Sequence, residues 1–300
     1  MPTQSRQQPI SIMSEGKSRR KKNIMKKILL LLLAITSVEG MRAQSEAFKK
    51  GSVMIFWGWN RAWYSNSDIH FYGKDYNFTL HNVSAHDRPT PVSEFDHYID
   101  PTKMSIPQVN YNVTYFINDN LGITFGIDHM KYVMDQDQTV KITGYIADPH
   151  YAAMIQNGQV DLTNGEFLQY EHTNGLNYLN LGIQKFRQLL NKKNFDIFWG
   201  AGFGAGVLVP KTDVILMEKE ESDHFHLAGF GLDARTSVNL VLWNHFVAKA
   251  EFKYAYINLP SVRTTQENVK VDKAIQDFNT YELVFGIGYT FNTGKKHNYN

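Results

Sequence analysis

The chain has 300 residues, of which 43% are hydrophobic, 13% aromatic and 20% charged, with a formal net charge of +2 and no cysteine. The aromatic content excludes a disordered chain, because such chains lack the side chains that build a core. The absence of cysteine excludes a disulfide scaffold, a thiolate metal site, a cysteine nucleophile and a lipid-anchored lipoprotein.

The N-terminus predicts a secretory signal. An apolar run from Ile28 to Val38 follows a cluster of six cations, and Ala43 offers a small residue before Gln44. The run is too short to span a bilayer as a helix, which needs about 20 residues. We therefore expect residues 1–43 to be an N-terminal extension with a cleaved signal peptide and residues 44–300 to form one domain. The alternative is a buried core helix, and Met1, Met13 and Met25 all remain open as the true start.

Removal of the signal reverses the charge balance. Residues 1–43 contain nine Lys or Arg and two acidic residues, so the remainder carries 22 basic and 27 acidic residues, a net charge of −5. Nucleic-acid binding requires clustered Lys and Arg. We therefore expect no nucleic-acid partner.

Alternation of apolar and polar residues recurs eight times after the signal. A period of two is typical of a strand whose two faces meet different surroundings. One face is bulky and aromatic, whereas the other carries glycine, amide and charged side chains. The predicted strands lie at residues 53–59, 109–117, 121–127, 179–183, 195–209, 228–240, 246–256 and 281–291.

The connections predict the topology. Three pairs of strands are joined by tight polar turns, near residues 118–120, 191–194 and 243–245, whereas residues 65–105 and 135–175 form long loops. Short turns at one end and long loops at the other indicate an all-β, eight-stranded antiparallel up-and-down transmembrane β-barrel of the outer-membrane type. A soluble barrel is the alternative, but its apolar face would point inward. Whether the long loops fold is left open.

Several segments resemble a known group of proteins. They are the run from Phe56 to Phe71 (FWGWNRAWYSNSDIHF), the segments Tyr76–Leu80 and Asp87–Pro89, and the last strand, Gly286–Phe291. These segments are similar to those of uncharacterised small outer-membrane β-barrel proteins of Bacteroidetes. The resemblance implies a fold and an outer-membrane location in a Gram-negative cell, and it brings no known activity.

The inward-facing charges predict a closed lumen. An eight-stranded barrel has an interior that side chains can fill. Glu251 lies between Lys249 and Lys253 on one face, and Asp233 and Arg235 lie two residues apart on another. Because buried charges are normally paired, we expect a salt-bridged plug. A narrow channel is the alternative.

Catalytic candidates lie where the first strand meets its loop. They are Ser67, Asp68 and His70, since a Ser, His and Asp set can support acyl transfer. In an extended chain Asp68 and His70 share a face and Ser67 points away. Further Ser, His and Asp residues follow in the same loop: Ser84, His86 and Asp87. The alternative interpretation is a set of polar loop residues that hold a hairpin in place.

Metal-binding candidates are His224 and His226, which stand two apart on one face of a predicted strand end. Three further histidines lie in the first loop: His81, His86 and His97. Without cysteine or a fixed ligand spacing, solvated loop histidines are the competing interpretation. We predict no metal and no cofactor.

The sequence therefore predicts a non-enzymatic outer-membrane barrel whose long surface loops bind a ligand or serve envelope structure. Trp57, Trp59, Trp63 and Tyr64 would anchor the first strand at the membrane interface. Expected partners are outer-membrane lipid, lipopolysaccharide and an extracellular ligand at the loops. We expect a monomer, although the oligomeric state is left open. The alternatives are a lipid A- or phospholipid-modifying acyl hydrolase or acyltransferase, and a narrow channel.

Overall fold

The computed structural model describes residues 45–89, 91, 108–219, 224–266 and 270–292. The predicted signal peptide and His97 lie outside these residues. The elements, in chain order, are β1 (Ser52–Tyr64), β2 (Ser67–Tyr72), β3 (Tyr76–Val83), β4 (Ala85–Asp87), β5 (Val109–Asn118), β6 (Leu121–Met134), β7 (Thr139–Ile146), α1 (Pro149–Ala153), β8 (Gln159–Asp161), β9 (Leu168–Asn191), β10 (Phe195–Pro210), β11 (Asp213–Leu216), β12 (Gly229–Leu242), β13 (Phe246–Arg263) and β14 (Lys273–Asn292).

Eight long strands close into a barrel. Their order is β1, β5, β6, β9, β10, β12, β13 and β14, each antiparallel to its neighbour. The last strand then pairs with the first, from Ser52 opposite Asn292 to Tyr64 opposite Thr280. The predicted eight-stranded up-and-down barrel is therefore confirmed. Several strands are longer than predicted, and the one expected at residues 179–183 spans Leu168–Asn191.

The two faces of the wall differ as predicted. Large apolar side chains point outward and are exposed, including Phe203 (70%), Ile287 (61%) and Leu181 (59%). Charged and amide side chains on the alternate positions are buried inside. A soluble barrel would reverse these faces, so the wall is that of a transmembrane barrel. Among the described residues, no helix is long and apolar enough to cross a membrane.

The three tight turns lie at one end of the barrel, here called the turn end. Asn120, Trp243 and Asn244 adopt positive φ angles there, as residues in tight hairpin turns commonly do. Residues 45–50 also fold against this end, where Lys50 N donates to the Asp119 carboxylate over 2.9 Å.

The opposite end, here called the loop end, consists of folded strands. In the long segment from residue 65, β2 pairs with the beginning of β14 and then with β3. In the segment from residue 135, β7 pairs with β3 and β8 pairs with β7. The sheet therefore continues above the barrel wall, and β4 and β11 add short pairings to β6 and β9.

The loop end has an apolar core of its own. Its largest buried members include Phe71, Phe78, Tyr132, Tyr170 and Phe278. Burial on this scale stabilises a folded structure, at about 1.5–3 kcal/mol for each large apolar side chain. The loop end is thus built like a small soluble domain on top of the barrel.

Candidate functional site

An ion pair crosses the middle of the lumen. Lys253 on β13 pairs through Nζ with Asp128 Oδ2 on β6, and both side chains are almost fully buried. Asp128 also accepts hydrogen bonds from the side-chain amides of Asn110 and, over 3.0 Å, Asn180. In the sequence, Lys253 flanks Glu251 on one face of a strand. It pairs with Asp128 instead, because the closed sheet brings β6 and β13 to opposite walls of one narrow lumen.

Two further ion pairs lie in the same layer. Arg235 Nε donates to Asp233 Oδ1 over 2.7 Å, and its Nη2 donates to Asn180 Oδ1 over 3.0 Å. Lys249 Nζ lies 2.5 Å from Glu251 Oε2. Both pairs were predicted from the sequence and are confirmed. Because these three cations each have an opposite partner, the three pairs can stay buried.

The turn end of the lumen is filled by a cluster of aromatic rings. Phe48, which is fully buried, lies 4.5 Å from Phe198 and 4.9 Å from both Phe116 and Phe186 between ring centroids. The loop-end core fills the other end. Side chains of the described residues therefore occupy the lumen in three layers: apolar, charged and apolar.

The predicted catalytic residues do not converge. Ser67 points into the loop-end core, where its Oγ accepts a hydrogen bond from Gln276 Nε2 over 2.9 Å. Asp68 and His70 point to the outer face, as expected from the alternation of the strand. His70 Nε2 lies 2.9 Å from the amide oxygen of Asn77. The second set is also dispersed, since Ser84 contacts Gln138, His86 pairs with Asp135, and Asp87 accepts from Ala62 N.

Asp68 is instead the first residue of a hydrogen-bonded string, Asp68–His81–Thr143, which crosses β2, β3 and β7. With its proton on Nδ1, His81 donates to Asp68 Oδ2 over 2.8 Å, and its Nε2 accepts from the Thr143 hydroxyl over 2.8 Å. Although partial burial opposes the change, hydrogen bonds from Asn82 N and His81 lower the pKa of Asp68. Sequence reasoning missed this string because Thr143 is 62 residues from His81.

The histidines proposed for metal binding are engaged by the protein. His226 Nδ1 lies 3.3 Å from the carbonyl oxygen of His224, and its Nε2 accepts from Arg263 N over 3.1 Å. Burial lowers the pKa of His226. A metal at this histidine would have to replace one of these bonds. In the part of the chain that the structure describes, no group of three His, Cys, Asp or Glu side chains is placed to hold a metal.

A cavity of about 320 Å³, here called the outer cavity, opens at the loop end. Its lining residues come from three separate segments: Asp75, Tyr76, Ile146, Ala147, Asp148, Tyr151, Met217 and Lys219. Sequence reasoning did not find it, because these segments are far apart in the chain and carry no motif.

Local backbone geometry places each part of the outer cavity. Ala147 N donates to Asp75 O over 2.9 Å, which joins two sides of the rim. Asp148 caps α1 by accepting from His150 N. Met217 and Glu218 have φ angles of 52° and 58°, and this tight turn after β11 directs Lys219 back toward the sheet.

Buried polar groups lie beside the outer cavity. Lys219 Nζ is 4.7 Å from the centroid of the Tyr76 ring and 4.0 Å from Asp272 Oδ2. The same Asp272 oxygen accepts from Thr265 Oγ1 over 2.7 Å. The Tyr76 hydroxyl also lies within hydrogen-bonding reach of the Thr264 and Asp272 side chains. These buried polar groups therefore partner one another, as buried polar groups normally do.

No protein-family model and no curated protein matches the chain. Among solved structures, it is similar to the outer membrane protein AlkL studied in lipid bilayers (13% identity, 86% of this chain and 98% of that chain covered, TM-score 0.42). It is also similar to the outer membrane protein OprG from Pseudomonas aeruginosa (12%, 83% and 100%, 0.38) and to Neisserial surface protein A (10%, 81% and 100%, 0.33). Similarity at this level assigns no function, and the closed sheet itself establishes the fold.

Proposed function

We propose that this chain is an outer-membrane β-barrel protein of a Gram-negative bacterium, related to the Bacteroidetes proteins that its segments resemble. Residues 1–43 direct its export and are removed, so that Gln44 begins the mature chain. The turn end faces the periplasm and the loop end faces outward, as in barrels with short periplasmic turns. Membrane lipid and lipopolysaccharide surround the apolar wall, and the barrel is a monomer.

The proposed role is non-enzymatic binding at the loop end. One observation carries it: the lumen is filled by paired charges between two apolar layers, whereas the loop end folds around its own core and presents a cavity outward. A filled lumen is a poor path for solutes, and recognition normally lies on exposed segments held by a rigid scaffold.

Single cysteines test the orientation, because the native chain has none. Lys141→Cys lies at the loop end and Lys193→Cys at the turn end, and both positions are exposed. A membrane-impermeant maleimide should label the first variant in intact cells and the second only after the outer membrane is permeabilised. The opposite pattern, or a mature protein soluble in the periplasm, would refute the proposal. Steady conductance of the purified protein in planar bilayers would favour a channel instead.

A second candidate function, acyl-ester hydrolysis, is favoured by the Asp68–His81–Thr143 string. A carboxylate that orients a histidine against a hydroxyl is the arrangement that activates a nucleophile in many hydrolases. Mass spectra of lipid A and phospholipids should be compared between cells that make the native protein, His81→Ala and His70→Ala. A mass change that requires His81 and not His70 would support hydrolysis; identical spectra would exclude these lipids as substrates.

A further inference from the structure

We propose that the barrel wall binds one anionic phospholipid, with Lys185 and Arg187 holding its phosphate and a groove beside them holding an acyl chain. This groove, here called the wall groove, has a volume of about 630 Å³ and crosses β6, β9, β10, β12 and β13 on their outer face. Its volume is that of a ligand-binding cleft. The inference rests on the proposed orientation, which puts the turn end at the periplasmic leaflet, and it names a lipid class and a place for it.

The wall groove exists because small side chains lie between large ones on the outer face. Ala201 on β10 lies opposite Thr236 on β12, and Ala234 belongs to the same face. Large exposed side chains stand around this floor: Ile183, Phe203, Phe252 and Tyr254. The result is a trough with short side chains along its floor, a shape that an extended acyl chain fits. Close packing of this kind is what favours one apolar contact over another inside a membrane.

The wall groove rises from the turn end toward the middle of the barrel. The register places Lys185 between Leu121 and Ala201. It also places Thr236 beside Phe252. Leu121 is the first residue of β6 after a turn, whereas Phe252 lies well inside β13. Because barrel strands are tilted, such a row of cross-strand neighbours climbs around the wall. A lipid whose headgroup lies at the turn end would therefore send its chain along this row into the apolar layer.

Two cations stand at the turn-end edge of the wall groove. Lys185 is exposed and Arg187 is partly exposed, and both line the groove from β9. Lys185 Nζ donates to Asp119 O over 3.3 Å, so its ammonium group lies at the level of the turn between β5 and β6. Phospholipid phosphates lie at this interface when the turn end faces the periplasm. Outward positions nearby on β6 and β12 are apolar: Leu121, Ile123, Val238 and Leu240.

The charge of the wall groove favours a phospholipid over a second copy of the chain. None of the described residues that line it is acidic. Two copies that packed groove to groove would therefore bring cations against cations. Lys and Arg are costly on a lipid-facing wall unless an anion or water meets them. A phosphate supplies this anion, because guanidinium and ammonium groups both donate strong hydrogen bonds to its oxygens.

Native mass spectrometry tests the proposal on the full mature protein, released from nonionic detergent micelles. The protein is titrated separately with dioleoylphosphatidylglycerol, dioleoylphosphatidylcholine and dioleoylglycerol. One phosphatidylglycerol should bind at least about five-fold more tightly than either other lipid, because it alone carries a net negative charge. The same spectra count protein copies, so they also detect a dimer.

Four variants separate the cations from the groove floor. Lys185→Gln and Arg187→Gln should each weaken phosphatidylglycerol binding about five-fold, as expected for one cation at a membrane surface. Lys193→Gln removes the same charge from the exposed turn at this end, and it should have little effect. Ala201→Leu fills the floor and should weaken binding about three-fold through lost packing. Its matched control is Ala250→Leu, at an outward position of β13 away from the wall groove.

Four outcomes would overturn the proposal. They are equal binding of the three lipids, equal effects of the groove cations and Lys193→Gln, equal effects of Ala201→Leu and Ala250→Leu, and a lipid-free dimer that Ala201→Leu dissociates. The heat-induced shift in gel mobility confirms that each variant is folded. The cysteine labelling measures orientation in cells, so its failure is separate. A correctly oriented barrel with no preference for phosphatidylglycerol would refute only the lipid site.

Discussion

Lys253 and Asp128 form their ion pair across the full width of the barrel, because β13 and β6 are four strands apart in a closed ring of eight. The contact joins residues 125 apart in the sequence. It ties together two walls that the sheet itself connects only through intervening strands. The ion pair therefore acts as a direct connection between the two walls.

Removing one partner of this ion pair should lower the free energy of unfolding more than removing both partners. Lys253→Met leaves the Asp128 carboxylate buried without its cation and should lower the free energy of unfolding by about 3–5 kcal/mol. Lys253→Met combined with Asp128→Asn should recover most of that loss, because no uncompensated charge remains. Urea unfolding in micelles, followed by tryptophan fluorescence, measures both. Additive losses in the double variant would show that the two side chains do not interact; Lys141→Met, at an exposed position, is the control.

Phe48 should contribute as a core residue although it lies outside the barrel strands. Phe48→Ala removes a fully buried ring from the turn-end cluster and should cost about 3–5 kcal/mol. Phe203→Ala removes the same ring from the outer wall, where it is exposed to detergent, and should cost much less. Thermal unfolding monitored by the heat-induced shift in gel mobility compares the two. Equal losses would show that residues 45–50 do not hold the turn end together.

His172 should make the loop end acid-sensitive. Burial, followed by the neighbouring His226, lowers the pKa of His172 from 6.5 to about 3. A histidine whose pKa is lowered by folding stabilises the folded state above pH 6.5, and this contribution is lost as the pH falls toward 3. The loss from His172 should reach about 2 kcal/mol at pH 5.

The variant His172→Gln tests this expectation. It should reduce the difference in stability between pH 7 and pH 5, as measured by near-ultraviolet circular dichroism melts. His150→Gln, which replaces an exposed histidine, is the matched control for the substitution itself. If the two variants respond alike to acid, the buried ring is not the cause.

Alanine substitutions at two glycines of the loop end should distinguish the effect of backbone strain from that of steric conflict. Gly144 and Gly158 have φ angles of 116° and 74°, so alanine is strained at either position. A Cβ atom on Gly144 would lie 2.2 Å from Asn77 O, whereas one on Gly158 would contact nothing within 4 Å. Gly158→Ala should cost about 1 kcal/mol and Gly144→Ala about 3 kcal/mol or more. Faster amide hydrogen exchange in β3 and β7 of Gly144→Ala alone would report loss of their pairing; similar exchange in both variants would argue against it.

The sequence by itself determined the barrel. A strand with one apolar and one polar face alternates apolar and polar residues along its own sequence. This alternation can be recognised without knowing which strands it pairs with. The predicted turns at residues 118–120 and 243–245 are equally local, since a hairpin turn of two or three residues is set by its own backbone. Ion pairs between neighbours on one strand, Asp233 with Arg235 and Lys249 with Glu251, were predictable for the same reason.

Only the tertiary structure decided the contacts between residues that are far apart in the sequence. Lys253 meets Asp128 because a closed sheet has an opposite wall, and Asp68 meets His81 and Thr143 because the long segments fold into further strands. The outer cavity likewise takes Asp75, Asp148 and Lys219 from distant segments. Such contacts depend on sheet order and on the burial of a shared core. A periodic pattern specifies which face of a strand is buried, but not which other strand it will meet.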